Sequence, residues 1–528
     1  MVAFAVWYSP VLIKGYAPYK MTELMPLAKN IHQTGLYSME SDKNVFLASS
    51  LIKENGHLSA VGNKFTAYLY AGLFKLTGGA WTPQNLILFS VFLTSLSLLI
   101  FSYLVFLLFG WRISLLFSLV YIFLPFIWIS VYSLGTYEFA LFFFAIFTFL
   151  FLTNKEKKYE WLSVFFAGIF LAFAAFSRET FLLAVPFTAV YLWFYRNKKT
   201  AVVFVIPIIL LLSFFYLPSF FKDNGGNYYM NMLSTKGVER KQFRDFNFYG
   251  HLYPDPYVYH FEKEKFLGDY GAQIKQAGFL ESLRMKKVLV NMGERGLSFF
   301  ERTSLGSVLF AGHFSDFFSI EELAGPFALI FIIFGMIYLR NKNRELYKFS
   351  LLWILGATFL MSFVAVVSRS HLRDFNWFVA LLISLGIFFL ADLIRKKFNL
   401  SENKRFIVAG ILVCALLANF LLGNYLNFRR IYGKGRAISM EVYAQKIKEA
   451  DIPNNGTIAI GLDSKDQLVL NYLAGKSTVI LTPETVERLI AKNKLKEAFE
   501  FFGVKYILGY DENISAKIKE ISGVKLIK

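Results

Sequence analysis

Ten apolar runs, at residues 86–110, 113–132, 137–153, 161–177, 180–195, 201–221, 323–339, 349–368, 377–394 and 406–426, decide what this chain can become. Crossing about 30 Å of hydrocarbon takes roughly 20 apolar residues of helix, and a soluble core has no use for so many such runs. Composition agrees, because 56% of the 528 residues are hydrophobic, with 61 Phe, 29 Tyr and 8 Trp against 18% charged residues, and the mean hydropathy is +0.47. Length alone would suggest three or four soluble domains, and this composition excludes them, together with disordered, collagenous and disulfide-stapled chains. The one cysteine, Cys414, lies inside an apolar run and allows neither an internal disulfide nor a two-cysteine metal site. The expected fold is a polytopic α-helical membrane protein of ten or eleven spans. The runs on either side of Arg178-Glu179 are short and meet in a hairpin too tight for a solvated loop. Residues 1–13 are apolar but too short to cross, are interrupted by Pro10 and lack a basic flank. They read as the outer end of a first helix with a truncated start, not as a signal peptide.

Charge sets the orientation. One set of alternate short loops carries sixteen Lys and Arg, among them Lys155, Arg196, Arg340, Arg395 and Arg405, and the opposite set carries three, Arg178, Arg369 and Arg373. The basic-rich set belongs in the cytoplasm, so much of the net charge of +19 is topology and not a nucleic-acid footprint. Three hydrophilic segments then fall outside, and the chain divides into 1–85 (truncated first span and first outer loop), 86–221 (spans), 222–322 (large outer loop), 323–426 (spans) and 427–528 (outer tail). No cytoplasmic domain is left to bind a nucleotide. The tail reads as a small α/β domain, with β-branched runs at 457–462, 478–482, 504–510 and 524–527 and a helix expected over 483–502, from Pro483 to a stop at Gly503. No Gly-rich phosphate loop follows any of these strands.

Ionisable residues at span ends are costly to desolvate and therefore informative. Glu138, Arg178, Glu179, His371, Arg373 and Asp374 all stand at the outer boundary. Each alone is equally well read as an interfacial anchor, with Arg178 pairing Glu179 or Glu138 and Arg373 pairing Asp374; together they suggest a site. The first outer loop adds Glu23 ahead of an amphipathic stretch (Leu24, Leu27, Ile31) that breaks at Gly35, and Lys64 opening a second one, 65–76, that ends at Gly78-Gly79. Such helices lie along a bilayer surface. A carboxylate and several cations gathered where lipid meets water suit attack by a hydroxyl or amine on a group whose leaving group is a lipid phosphate. The carboxylate takes the nucleophile's proton and the cations hold the developing phosphate charge.

At these residues the chain resembles a family. Ala28, Ile31, Gly35 and Tyr37, the stretch 63–69 with Lys64, the stretch 74–78, Tyr137-Glu138 at the head of a helix, Ser177-Arg178-Glu179 and the element 370–375 with His371 and Arg373 are together similar to the protein O-mannosyltransferase and aminoarabinose transferase group, integral-membrane glycosyltransferases of the GT-C fold. The resemblance covers roughly residues 17–426. It implies transfer of a sugar from a polyprenyl-phosphate donor to a lipid, glycan or protein acceptor on the outer face of the plasma membrane, with inversion in a single displacement. It implies no nucleotide donor and no cofactor, and leaves the need for a divalent metal open. By position, Lys64 matches a lysine of the family that contacts donor phosphate, here followed by Phe65-Thr66 in place of two prolines, and Arg178, Arg373 and His371 complete the cationic cradle. The catalytic acid is expected at Glu23, although Lys20-Met21 stand where many relatives carry Asp-Glu. Glu40, Asp42 and Glu138 are the supporting acids, and a charge facing a helix dipole is the plainer account of Glu23.

Two other classes are weighed. A transporter or lipid flippase needs polar residues along a path through the bilayer and paired broken helices, whereas here the ionisable residues cluster at one side. An oligosaccharyl or polymer transferase shares the lipid-phosphate chemistry, and the absence of a D-x-D and of a Trp-Trp-Asp element argues against the oligosaccharyl version. The histidines show no metal-ligand spacing.

Overall fold

The computed structural model describes residues 24–35, 64–124, 137–153, 160–222, 325–353, 376–432, 436–453 and 456–527, with breaks at 462–469, 471 and 482, and also 127, 128 and 131. These residues fall into two compact units. In chain order the helices are α1 (Met25–Thr34), α2 (Lys64–Leu76), α3 (Pro83–Phe109), α4 (Trp111–Phe123), α5 (Tyr137–Thr153), α6 (Glu160–Ser177), a 3-10 turn (Glu179–Leu183), α7 (Ala184–Tyr195), α8 (Lys198–Lys222), α9 (Gly325–Lys342), α10 (Asn376–Lys397), α11 (Glu402–Tyr432) and α12 (Arg436–Glu449). The tail continues β1 (Thr457–Ile460), β2 (Ser477–Ile480), α13 (Pro483–Ala491), α14 (Leu495–Phe502), β3 (Val504–Leu508), α15 (Glu512–Ser522) and β4 (Lys525–Leu526).

The first unit holds the apolar helices. Among the described residues five helices are long and apolar enough to cross a membrane, and Trp111–Phe123, Tyr137–Thr153 and Thr180–Tyr195 are shorter apolar helices beside them. The chain is a multi-pass membrane protein. Its helices are held by close backbone approach and by hydroxyls, since lipid provides no hydrophobic drive between apolar surfaces. Gly335 of α9 and Gly386 of α10 lie against each other's helix: a Cβ on Gly335 would come within 2.0 Å of the Leu382 carbonyl oxygen, and one on Gly386 within 1.9 Å of that of Phe331. Gly168 of α6 meets the Phe204 carbonyl of α8 in the same way. Ser102 and Ser118 share a hydrogen bond of 2.7 Å between α3 and α4, and Ser114 Oγ donates to the Ser102 carbonyl at 2.7 Å. The turn between those two helices needs Gly110 at φ 85. α10 is buried on every face from Asn376 to Ile387 and is the core element, whereas only 22% of the span in α11 is buried, which leaves most of that helix facing outward.

One sequence expectation is corrected and another refined here. The run 113–132 is not one helix: α4 stops at Phe123, because Leu124 precedes Pro125 and takes an extended conformation (φ −57, ψ 117). The segment after Arg178 begins as a 3-10 turn and becomes α-helical at Ala184.

The second unit contains α1, α2 and the tail. α1 starts with Pro26 in its first turn and ends at Gly35 in the left-handed region (φ 74), whose N–H donates to the Ile31 carbonyl. α2 ends at Gly78 (φ 80). The tail is a four-stranded, wholly parallel sheet in the order β2-β1-β3-β4, with a core of Ala459, Leu481, Val486, Leu489, Ala498, Phe499, Ile507 and Ile518. The helix expected over 483–502 is broken in two: the chain turns at Lys492-Asn493-Lys494, with Asn493 at φ 53 and the Lys494 N–H reaching back to the Leu489 carbonyl at 2.8 Å. Gly503 closes α14 at φ 62. Among the described residues, Tyr510 occupies the carboxyl ends of β1 and β3, the place where open parallel sheets bind ligands. The Tyr510 ring covers Gly461, whose Cβ would come within 2.7 Å of it, and its hydroxyl donates to the Leu481 carbonyl at 2.6 Å.

Candidate active site

Arg178 occupies a single extended residue (φ −154, ψ 113) between α6 and the 3-10 turn. Its N–H continues the α6 ladder to the Ala174 carbonyl at 2.8 Å, and its carbonyl accepts from Phe181 at 3.1 Å. The backbone is thus saturated on both sides. Arg178 Nε donates to Thr180 Oγ1 at 3.2 Å, and the guanidinium carbon lies 5.4 Å from the centroid of the Tyr137 ring. Arg178 is partly exposed, whereas Tyr137 and Glu138, in the first turn of α5, are each only 1% exposed. That first turn is the positive end of the helix dipole.

A third element completes the cluster. Asn376, the first residue of α10, is fully buried and its Nδ2 donates to the Tyr137 hydroxyl at 3.5 Å. The next residue, Trp377, stacks on Phe101 of α3 with ring centroids 5.1 Å apart and an interplanar angle of 1°. Asn376 Oδ1, Trp377 Nε1 and Ser177 Oγ are buried and have no hydrogen-bond partner among the described residues. One end of the first unit therefore carries a cation on an aromatic ring together with a carboxylate, a phenol, an amide and an indole N–H. Such a set suits an anionic or polyhydroxylated ligand, with the cation for charge and the neutral groups for hydroxyls.

At the other end of α5 and α6 the charged groups pair with one another. Arg196 donates to the Phe151 carbonyl at 3.1 Å and lies 3.6 Å from both Glu160 and Glu345. Asp392 of α10 meets Arg395, Lys396 and Arg405, and Arg395 and Arg405 also bridge to Glu402.

Of the residues singled out in the sequence, Arg178 and Glu138 are brought to the same end of the first unit. Lys64 opens α2 in the second unit, where its backbone alone is described, and Glu23, Glu40, Asp42, His371 and Arg373 lie outside the described residues. Sequence reasoning missed Asn376 and Trp377 as members of the cluster. The available signal was a neutral amide at the very end of an apolar run, which a search restricted to ionisable residues passes over.

No family model matches the chain, and no curated protein matches it in sequence. The fold does find relatives. The chain matches the archaeal oligosaccharyltransferase AglB from Archaeoglobus fulgidus, solved in complex with an inhibitory peptide and a dolichol-phosphate, with a TM-score of 0.51 at 12% identity over 96% of this chain and 69% of that one. The Archaeoglobus fulgidus oligosaccharyltransferase tethered by a disulfide to an acceptor peptide with an NVT sequon gives 0.51 at 13% identity, over 96% and 68%. ArnT from Cupriavidus metallidurans in the apo state is a looser match, 0.43 at 12% identity over 93% and 88%. The chain has a GT-C fold. This is the fold that the resemblance implied, and the conclusion rests on the archaeal likeness.

Proposed function

We propose that the chain is a membrane glycosyltransferase that moves a sugar from a polyprenyl-phosphate donor to an acceptor at the extracytoplasmic face. The observation that carries this reading is a GT-C fold with Arg178, Tyr137, Glu138 and Asn376 clustered at one end of its apolar helices. AglB, of like fold, was solved with a dolichol-phosphate, which supports a lipid-phosphate ligand here. In the proposed step an acceptor hydroxyl or amine attacks the anomeric carbon from the face opposite the phosphate. Glu23 takes the acceptor's proton, the bond from carbon to phosphate oxygen breaks, and the lipid phosphate leaves with its new charge held by Lys64, Arg178, Arg373 and His371. Glu138, Glu40 and Asp42 are supporting acids. The sugar, hexose or pentose, and the acceptor, whether lipid, glycan or protein, are set by contacts beyond these.

Oligosaccharyl transfer is the second reading, favoured by the likeness to the archaeal enzyme. Donor size separates the two. The purified full chain in liposomes is given radiolabelled polyprenyl-phosphate hexose and pentose in parallel with a lipid-linked oligosaccharide. The first reading expects product from a monosaccharide donor, with inverted anomeric configuration. Product from the oligosaccharide alone would replace it with the second, and retained configuration would overturn the single displacement.

A further inference from the structure

Within the second unit one residue of the tail is bonded to both parts of the first hydrophilic segment. Tyr472 stands in a short helical turn ahead of β2 and is 6% exposed. Its hydroxyl donates to the Trp81 carbonyl at 2.5 Å. Its own carbonyl accepts from Lys29 Nζ, on α1, at 3.2 Å, and the same ammonium lies 5.5 Å from the centroid of its ring. Trp81 is tied in turn to α2. The indole N–H donates to Thr77 Oγ1 at 2.6 Å, and the ring meets Tyr70 edge-on at 6.5 Å and Phe74 at 5.9 Å. His32 of α1 meets Phe74 of α2 edge-on at 6.4 Å. Tyr472 thus holds α1 by its carbonyl and the chain just after α2 by its hydroxyl.

These contacts are not what the cheapest packing would choose. Burial holds the Lys29 ammonium below the usual lysine range, and the nearby Lys448 pushes it the same way. An apolar side chain would fill this space without that penalty. What a lysine bonded to a main-chain carbonyl adds is direction, fixing the rotation of α1 about its axis and its height against the tail. Burial pushes the Tyr472 phenol up, so its hydroxyl remains a donor across the ordinary pH range. α1 begins two residues after Glu23, and α2 begins at Lys64.

We infer that the C-terminal α/β domain clamps the first hydrophilic segment, and that Tyr472 is a positioning residue for the transfer reaction, acting through α1 and α2 on Glu23 and Lys64. The catalytic half of this inference rests on the function proposed above; the clamp does not. Displacing a reacting group by 1 Å costs about a hundredfold in rate, so two helices, each tied to the tail through one of these hydrogen bonds, are a direct lever on turnover.

The test uses the full chain in nanodiscs as wild type, Tyr472→Phe, Lys29→Met and Tyr510→Phe. Tyr510 is the control, because its hydroxyl also donates to a carbonyl but within the tail. Amide exchange over 25–34 and 64–76 reads the clamp without reference to activity. The loss of one hydrogen bond should quicken exchange about fivefold over 64–76 in Tyr472→Phe and over 25–34 in Lys29→Met, while α10 and the Tyr510→Phe protein exchange as wild type over both stretches. Transfer from a labelled polyprenyl-phosphate hexose or pentose should show kcat about tenfold lower at unchanged KM. Unchanged exchange in both Tyr472→Phe and Lys29→Met overturns the clamp. Faster exchange with unchanged kcat overturns the positioning role. If the wild type transfers nothing, the function reading fails, and the exchange result still decides the clamp.

Discussion

Arg178 combines a fixed backbone with a side chain that lies over the Tyr137 ring and bonds Thr180. Its planar face and its charge are separable by substitution, because lysine keeps the charge as a compact point and loses the stacking. If Arg178 holds donor phosphate, Arg178→Ala should lower kcat/KM for the donor about a hundredfold, and Arg178→Lys should recover part of it. Equal activity in all three proteins, measured as initial transfer rates at matched protein, would reduce Arg178 to an interfacial anchor. A second prediction concerns the buried amide beside it. Tyr137→Phe removes the acceptor of Asn376 Nδ2 and leaves a buried donor unsatisfied, at a cost of about 1–3 kcal/mol. The melting temperature in detergent should fall. An unchanged value would mean that the 3.5 Å contact adds nothing to stability. At this scale the sequence was half legible. Arg178 and Glu138 are conspicuous because charge is rare at the ends of apolar runs, whereas Asn376, Lys29 and Tyr472 matter through partners hundreds of residues away, which no local pattern encodes.

Among the elements, the α9–α10 pair makes the sharpest demand on sequence. Gly335 and Gly386 let two apolar helices approach until each lies on the other's backbone, and dispersion and weak Cα–H contacts replace the hydrophobic drive that lipid removes. Gly386→Ala places a methyl on the Phe331 carbonyl and should sharply reduce the monodisperse peak by fluorescence size-exclusion. Gly410→Ala, on α11 with no atom of the described residues within 4 Å of its Cβ, should be neutral or slightly stabilising. Equal losses in both, or none in either, would contradict the close approach. Most element ends were readable because the punctuation is chemical: Gly35, Gly78, Gly110 and Gly503 all take positive φ where the apolar pattern stops. The breaks at Leu124 and Asn493 were read through. The first follows from the restriction that Pro125 puts on its predecessor. At the second, the amphipathic pattern continues across the turn, so periodicity alone gives no sign of the change in direction.

At the scale of the molecule, the apolar runs carried the fold, since a bilayer admits few solutions to the problem of satisfying backbone groups. The α/β character of the tail was legible too, from four β-branched runs separated by helical patterns, and the structure adds that its strands run parallel. Its attachment to α1 and α2 was not, because that attachment is made by isolated side chains. The reaction is the larger claim, and it is tested most directly by transfer of labelled sugar from lipid-phosphate donors in membranes holding wild type, Glu23→Gln, Lys64→Ala or Arg178→Ala at matched expression. The account predicts transfer by the wild type, loss of about a hundredfold or more in Glu23→Gln, and clear losses in the two cation variants. Full activity in Glu23→Gln would contradict the assignment of the base and move it to Glu40, Asp42 or Glu138. No transfer by the wild type from any lipid-linked sugar would contradict the central claim itself.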